Sequence, residues 1–225
     1  MSEATTLTDR FDLALLYATH VHGGQVRKGT ATPYIAHLLA IAATVLEYGG
    51  DEDLAIAALL HDSAEDQGGK ARLNDVRNRF GRRVAKVVEA CSDSLADTAK
   101  GERKADWLPR KEGYIAHLQS ADKDVLLASL ADKVHNARSI LRDQRKREVG
   151  EAVWTASARQ RNRRSCTIAV SPQFFSKGFP ANWRRSCTKS LRSWRGQRPG
   201  HSCWRWPPTI CRGTPDEVTP LHQKP

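Results

Sequence analysis

Two histidines and several carboxylates stand in apolar surroundings that cannot satisfy them. His61-Asp62 lies in DLAIAALLHDSAED, and at 100° per residue Ala58, His61, Asp62 and Glu65 share one helix face whose other sides are Ala, Leu and Ile. Such a helix must satisfy its polar groups internally, and metal ligation is one way to do so. His37 sits between Ala36 and Leu38, with no charged residue from position 34 until Glu47. Taken alone, it also fits a core imidazole bonded to a backbone carbonyl. Asp132 lies in VLLASLADKVHNARSIL, opposite the apolar strip Leu127, Leu130, Val134, Ala137 and Leu141 and beside Ala128, Ser129, Asn136 and Ser139. A carboxylate among small residues needs a cation or several donors; a surface acid paired with Lys133 or Arg138 is the plainer alternative. Together, two His and two Asp from three helices can converge on one divalent ion with mixed N/O ligands, leaving positions for water and substrate oxygens.

The elements that must position these groups are helices, because helical periodicity fills the first 154 residues and no Val/Ile/Thr-rich alternating run competes with it. The expected class is all-α. A first helix follows Thr8-Asp9 with the stripe Phe11, Ala14, Leu15 and Ala18, and a polar turn covers residues 22–30. From Tyr34, YIAHLLAIAATVLEY predicts a buried central helix ending at Gly49-Gly50. Asp51-Glu52-Asp53 then opens one continuous helix through Asp66, before Gly68-Gly69. Further helices are expected near 71–80, 82–95, 108–120 and 122–143, with a polar loop from Asp93 to Asp106 placed to sit over a site.

The charge is divided unevenly. The 225 residues carry a net +11, yet residues 1–154 are close to neutral and the basicity belongs to residues 155–225, with 14 Lys+Arg against 2 Asp+Glu. Four of five Cys, four of six Trp and eight of ten Pro lie beyond Trp154. We therefore read residues 1–154 as one domain and residues 155–225 as a separate basic, Arg/Trp/Cys/Pro-rich tail. The longest apolar stretches fall short of the ~18–20 residues that cross a bilayer, so no membrane association is expected. An N-terminus without a secretory pattern and a single Cys before residue 155 point to the cytoplasm.

His37, the His61-Asp62 pair and distant Asp132 resemble the H…HD…D pattern of HD-domain metal phosphohydrolases. The strings RKGTATPYIAHLLAIA, AALLHDSAEDQGG and LADKVHNARSIL are similar to the hydrolase domain of RelA/SpoT-type proteins, especially small stand-alone alarmone hydrolases, over roughly residues 8–154. The resemblance implies an HD-domain helical bundle and a 3′-pyrophosphohydrolase that converts ppGpp or pppGpp to GDP or GTP, with Mn²⁺ as the usual metal. It places His37, His61, Asp62 and Asp132 at the metal-ligand positions. Glu65 and Asp66 match the pair that positions and activates the attacking water, and Glu65 stands one turn beyond His61. Arg27 and Lys28 match a basic motif at the pocket rim, and Asn136 matches a position that bonds a phosphate or ribose oxygen. Tyr34 is placed to line the pocket. Lys104, Arg110 and Lys111 are read as ordinary surface cations.

After VGEAVW the resemblance stops. The remaining segment fits an out-of-frame translation of G+C-rich DNA, and also a nucleic-acid-binding tail with Arg among Trp183, Trp194, Trp204 and Trp206; its Cys spacings lack the C-x₂₋₄-C knuckle of a zinc site. Two rival functions remain open: an HD phosphohydrolase of another nucleotide or phosphoester, and a nucleic-acid-binding protein acting through its tail.

Overall fold

The computed structural model describes residues 4–145. Within them the chain forms eight α-helices: α1 Asp9–Val21, α2 Ile35–Glu47, α3 Glu52–Leu60, α4 Ser63–Asp66, α5 Gly69–Phe80, α6 Arg82–Cys91, α7 Trp107–Ser120 and α8 Lys123–Arg145. A single 3₁₀ turn, Thr98–Lys100, interrupts the polar loop between α6 and α7. Among the described residues there is no strand, only an isolated antiparallel bridge between Val26 and Pro33. The all-α expectation holds.

Local chemistry explains the starts. Thr8 accepts a hydrogen bond from Arg10 N at the head of α1, and Asp51 accepts one from Leu54 N at the head of α3, so each supplies an acceptor to amides that lack a partner in the first turn. Arg10 ties these two starts together, reaching Asp53 at 2.8 Å and the Phe80 carbonyl at 3.1 Å. The predicted α1 stripe packs inward, with Ala14 and Ala18 buried.

The centre belongs to α3 rather than to α2, which corrects the sequence expectation. Every residue of α3 from Leu54 to Leu60 is buried, and the helix packs against α1, α2, α6 and α8. By contrast α2 buries His37, Leu38, Ile41, Ala42 and Val45 on one side and exposes Ala36, Leu39, Ala43 and Glu47 on the other. Those four outward positions recur at three- and four-residue intervals, the mark of a one-sided helix. Only α3 has neighbours all round.

The helix expected through Asp66 is broken at His61-Asp62, where turn geometry separates α3 from α4. Side chains take up the carbonyls at the break: the His61 ring pairs with Ala58 O at 2.9 Å, and Ser63 Oγ donates to Leu60 O at 2.6 Å. Competition of this kind between side chain and backbone disfavours a continuous ladder. Gly69, at the head of α5, has φ +58°, and a Cβ there would lie 2.4 Å from Leu95 O. The loop between α6 and α7 therefore rests directly on backbone at the α4–α5 turn, and only glycine permits that contact.

Candidate metal and hydrolytic centre

Three elements bring the cluster together. His37 comes from the inner face of α2, His61 and Asp62 from the break between α3 and α4, and Asp132 from the middle of α8. His37, His61 and Asp132 are buried, and each offers a ligand atom within 4.8 Å of the other two. Asp62 joins them: its Oδ2 lies 3.0 Å from His61 Nε2 and 3.7 Å from His37 Nε2. His37 Nε2 in turn stands 3.3 Å from Asp132 Oδ1. The four residues singled out as ligands thus meet in one place.

Each ring has its other nitrogen occupied. His61 Nδ1 is held by Ala58 O, one turn back in its own helix, which leaves Nε2 buried and without a hydrogen-bond partner. His37 Nδ1 is 2.8 Å from His135 Nδ1, across from α8. Both Nε2 atoms consequently face the same two carboxylates. Burial opposes a charged His61, but Asp62 and Asp132 outweigh it and push its pKa up to about 9. Burial likewise opposes ionisation of Asp132, yet Lys133 and the two histidines hold its carboxyl far below the usual range. The cavity is built to favour positive charge, and two imidazole nitrogens with two carboxylates suit a divalent cation.

Several hydrogen bonds fix the acids. Tyr34 donates to Asp62 Oδ2 at 2.5 Å and stacks on His22, with ring centres 5.2 Å apart. Asp132 accepts from Lys133 Nζ at 2.6 Å and from Asn136 Nδ2. Asn136 also accepts from Arg27 Nη2 at 2.7 Å, so the rim residue and the α8 residue form one unit. Lys28 is exposed on the same loop, and no hydrogen bond or ion pair joins it to the cluster among the described residues.

Glu65 and Asp66 stand on α4 but in different settings. Glu65 accepts from Lys104 Nζ at 3.1 Å and from Asp93 N at 3.1 Å, and burial together with the Asp93 charge raises its pKa. Asp66 accepts from Gln25 Nε2 at 3.1 Å, on the rim side. Lys104 is therefore not the ordinary surface cation that the sequence suggested. Arg110 and Lys111 close on Asp93, whose side chain is nearly buried, and they brace the loop that reaches Glu65. The polar loop does sit beside the site.

Sequence reasoning missed His135 and Asp93 as parts of the site, and it offered Lys133 only as the partner of a surface Asp132, whereas the pair forms with Asp132 buried. Burial, His37 and Arg27 push His135 down to about 4, which leaves it neutral at pH 7. Its spacing was the available signal: Asp132, His135 and Asn136 recur at the three- and four-residue interval that places side chains on one helix face. Leu141 and the whole 155–225 tail, with its readings, lie outside the side chains or residues described.

Comparison with known proteins adds the family and its relatives. The family described as HD domain matches residues 14–161. A guanosine-3′,5′-bis(diphosphate) 3′-pyrophosphohydrolase of Aquifex aeolicus (strain VF5) is 33% identical over 137 residues, covering 60% of this chain and 18% of that protein. The bifunctional (p)ppGpp synthase/hydrolase SpoT of Escherichia coli (strain K12) is 36% identical over 144 residues, covering 62% and 20%. The chain thus spans about a fifth of the length of these curated relatives. A solved structure described by the words "A metazoan ortholog of SpoT hydrolyzes ppGpp and plays a role in starvation responses" shares the fold, with a TM-score of 0.65, 24% identity, and coverage of 85% of this chain and 98% of that one. By the match over residues 14–161, the chain belongs to the HD domain family.

Proposed function

We propose that this protein is a cytoplasmic, Mn²⁺-dependent hydrolase that removes the 3′-pyrophosphate of ppGpp or pppGpp. The observation that carries the reading is the pair of buried His Nε2 atoms facing Asp62 and Asp132, beside Arg27 of the rim loop bonded to Asn136 of α8. The substrate follows from the names of the relatives, which act on guanosine 3′,5′-bis(diphosphate) or on (p)ppGpp. No helix among the described residues is long and apolar enough to cross a membrane, in keeping with a soluble nucleotide as substrate.

His37, His61, Asp62 and Asp132 are the residues that would hold the ion. Such an ion, when bound, supplies Lewis-acid polarisation of a phosphate oxygen and lowers the pKa of water. The chain's own residues provide the rest. Glu65, with its carboxyl raised by burial and by Asp93, accepts the proton of the attacking water, and Lys104 holds it in position. Water adds to the phosphorus bonded to O3′, the P–O3′ bond breaks, and the proton taken by Glu65 is available to the ribose oxygen. Arg27, oriented by Asn136, stabilises charge on the pyrophosphoryl group under attack, with Lys28 as a second, exposed cation on the rim. Asp66 orients the water from the Gln25 side.

The test is pyrophosphate release from ppGpp by the full chain with Mn²⁺, beside Asp62→Ala. Release that requires both Mn²⁺ and Asp62 is the expected result. A folded, Mn²⁺-loaded protein that leaves ppGpp intact overturns the substrate assignment and directs the search to other phosphoesters.

A further inference from the structure

His37 and His61 present the same atom to the same acids, but they are oriented by different means. For His61 the orienting group is local: Ala58 O, three residues back, accepts the Nδ1 proton at 2.9 Å and so leaves Nε2 bare. His37 has no such carbonyl. Its Nδ1 meets His135 Nδ1 at 2.8 Å, with ring centres 4.9 Å apart and planes tilted by 43°. Two imidazole nitrogens at that distance share one proton, so one ring donates and the other accepts. If His135 donated, a neutral His37 would carry its own proton on Nε2, which faces Asp132 Oδ1 at 3.3 Å, and that nitrogen could not be a ligand.

We infer that His135 is a positioning residue that accepts the Nδ1 proton of His37 and thereby turns the bare Nε2 of His37 toward Asp62 and Asp132. The inference rests on the proposed metal reading of the cluster. His135 then carries its proton on Nε2, away from the cluster, and never touches the ion or the substrate. Its place on α8 makes the arrangement economical, because Asp132 and His135 lie one turn apart on one face and approach His37 from the same helix. Partners of this kind fix tautomer and ring orientation, and their loss weakens metal binding by about 10- to 100-fold.

Two substitutions separate hydrogen bonding from packing. His135→Asn places an amide oxygen near the position of Nδ1 and keeps an acceptor; His135→Leu fills space and removes it. Calorimetric titration of the full chain with Mn²⁺ should show affinity close to that of the parent for His135→Asn and a loss of about 10- to 100-fold for His135→Leu. The second readout is the imidazole ¹H–¹⁵N spectrum with Zn²⁺ as a diamagnetic probe. It should place the proton of His37 on Nδ1 in the parent and in His135→Asn, with the downfield hydrogen-bonded signal lost in His135→Leu.

Equal Mn²⁺ affinity in His135→Leu and the parent, or a parent spectrum with the His37 proton on Nε2, overturns the inference. Should His135→Leu fail to fold, the parent spectrum decides alone. A parent that binds Mn²⁺ yet spares ppGpp removes the substrate assignment and leaves this inference standing on its binding data; a parent that binds neither Mn²⁺ nor Zn²⁺ removes both.

Discussion

The break between α3 and α4 and the loop between α6 and α7 both deliver acids to the site, but they are stabilised in opposite ways. His61 and Asp62 hang from α3, where burial of Leu54 to Leu60 among the surrounding helices anchors the element. Asp93 and Lys104 hang from a polar segment whose order comes from charge: Arg110 and Lys111 on Asp93, and Lys104 on Glu65. Hydrophobic burial is not screened by salt, whereas exposed and partly exposed ion pairs are. The proposed ligand side of the site is therefore set by the core, and the proposed proton-handling side is held by charge.

This contrast can be broken most severely from the ligand side. Asp132→Ala should abolish both Mn²⁺ binding and hydrolysis and should destabilise the fold as well, because the largely covered Lys133 then loses its carboxylate partner; calorimetry and pyrophosphate release measure the two losses. Next in size, Leu59→Ala opens a cavity in a helix that is fully buried at that residue and should cost about 2–5 kcal/mol in denaturant unfolding. Activity per folded molecule should survive, which distinguishes a scaffold residue from a ligand.

On the side held by charge, Glu65→Gln should lower kcat by about 10²- to 10⁴-fold while Mn²⁺ binding stays intact. A variant that also lost the metal would show Glu65 to be a ligand and would collapse the distinction between the two sides. Smallest of all, Arg83→Ala removes bridges of 2.6 Å to Asp51 and to Asp124, at side chains roughly half exposed, and should cost at most about 1 kcal/mol, an effect that fades in high salt. Acid should act on similar pairs. Asp75, through the Tyr17 hydroxyl and Arg79, and Asp122, through Lys86, sit below the usual carboxylate pKa. Their folded-state pKa values lie below the unfolded ones, so their contribution is complete above about pH 4 and drains away as pH falls further. A urea midpoint that stayed constant through that range would remove these pairs from the account.

The helices and the clustered polar residues His37, His61, Asp62 and Asp132 were legible because both rest on local pattern. Apolar periodicity at Phe11, Ala14 and Ala18 and caps such as Thr8 and Asp51 act within a turn or two, and a lone His or Asp in an apolar helix is conspicuous. What escaped is non-local. The demotion of α2 from the centre depends on how many helices surround α3, which no window along the chain reports. The break at His61-Asp62 is the local exception: it depends on side chains of His61 and Ser63 outcompeting the helical ladder, which apolar periodicity does not report. His135 meets His37 across 98 residues of sequence, and Lys104 meets Glu65 across 39; neither pairing leaves a periodic trace.

The glycine at position 69 carries a wider consequence. Because a β-carbon there would collide with the Leu95 carbonyl, the turn after α4 and the segment carrying Asp93 lie closer together than any side chain at 69 would allow. Any alanine or larger residue at 69 would act at a distance, lifting Asp93 N from Glu65 without altering a polar group in the site. Mutational tolerance around the centre is thus set partly by a missing side chain, at a spot that does no chemistry at all.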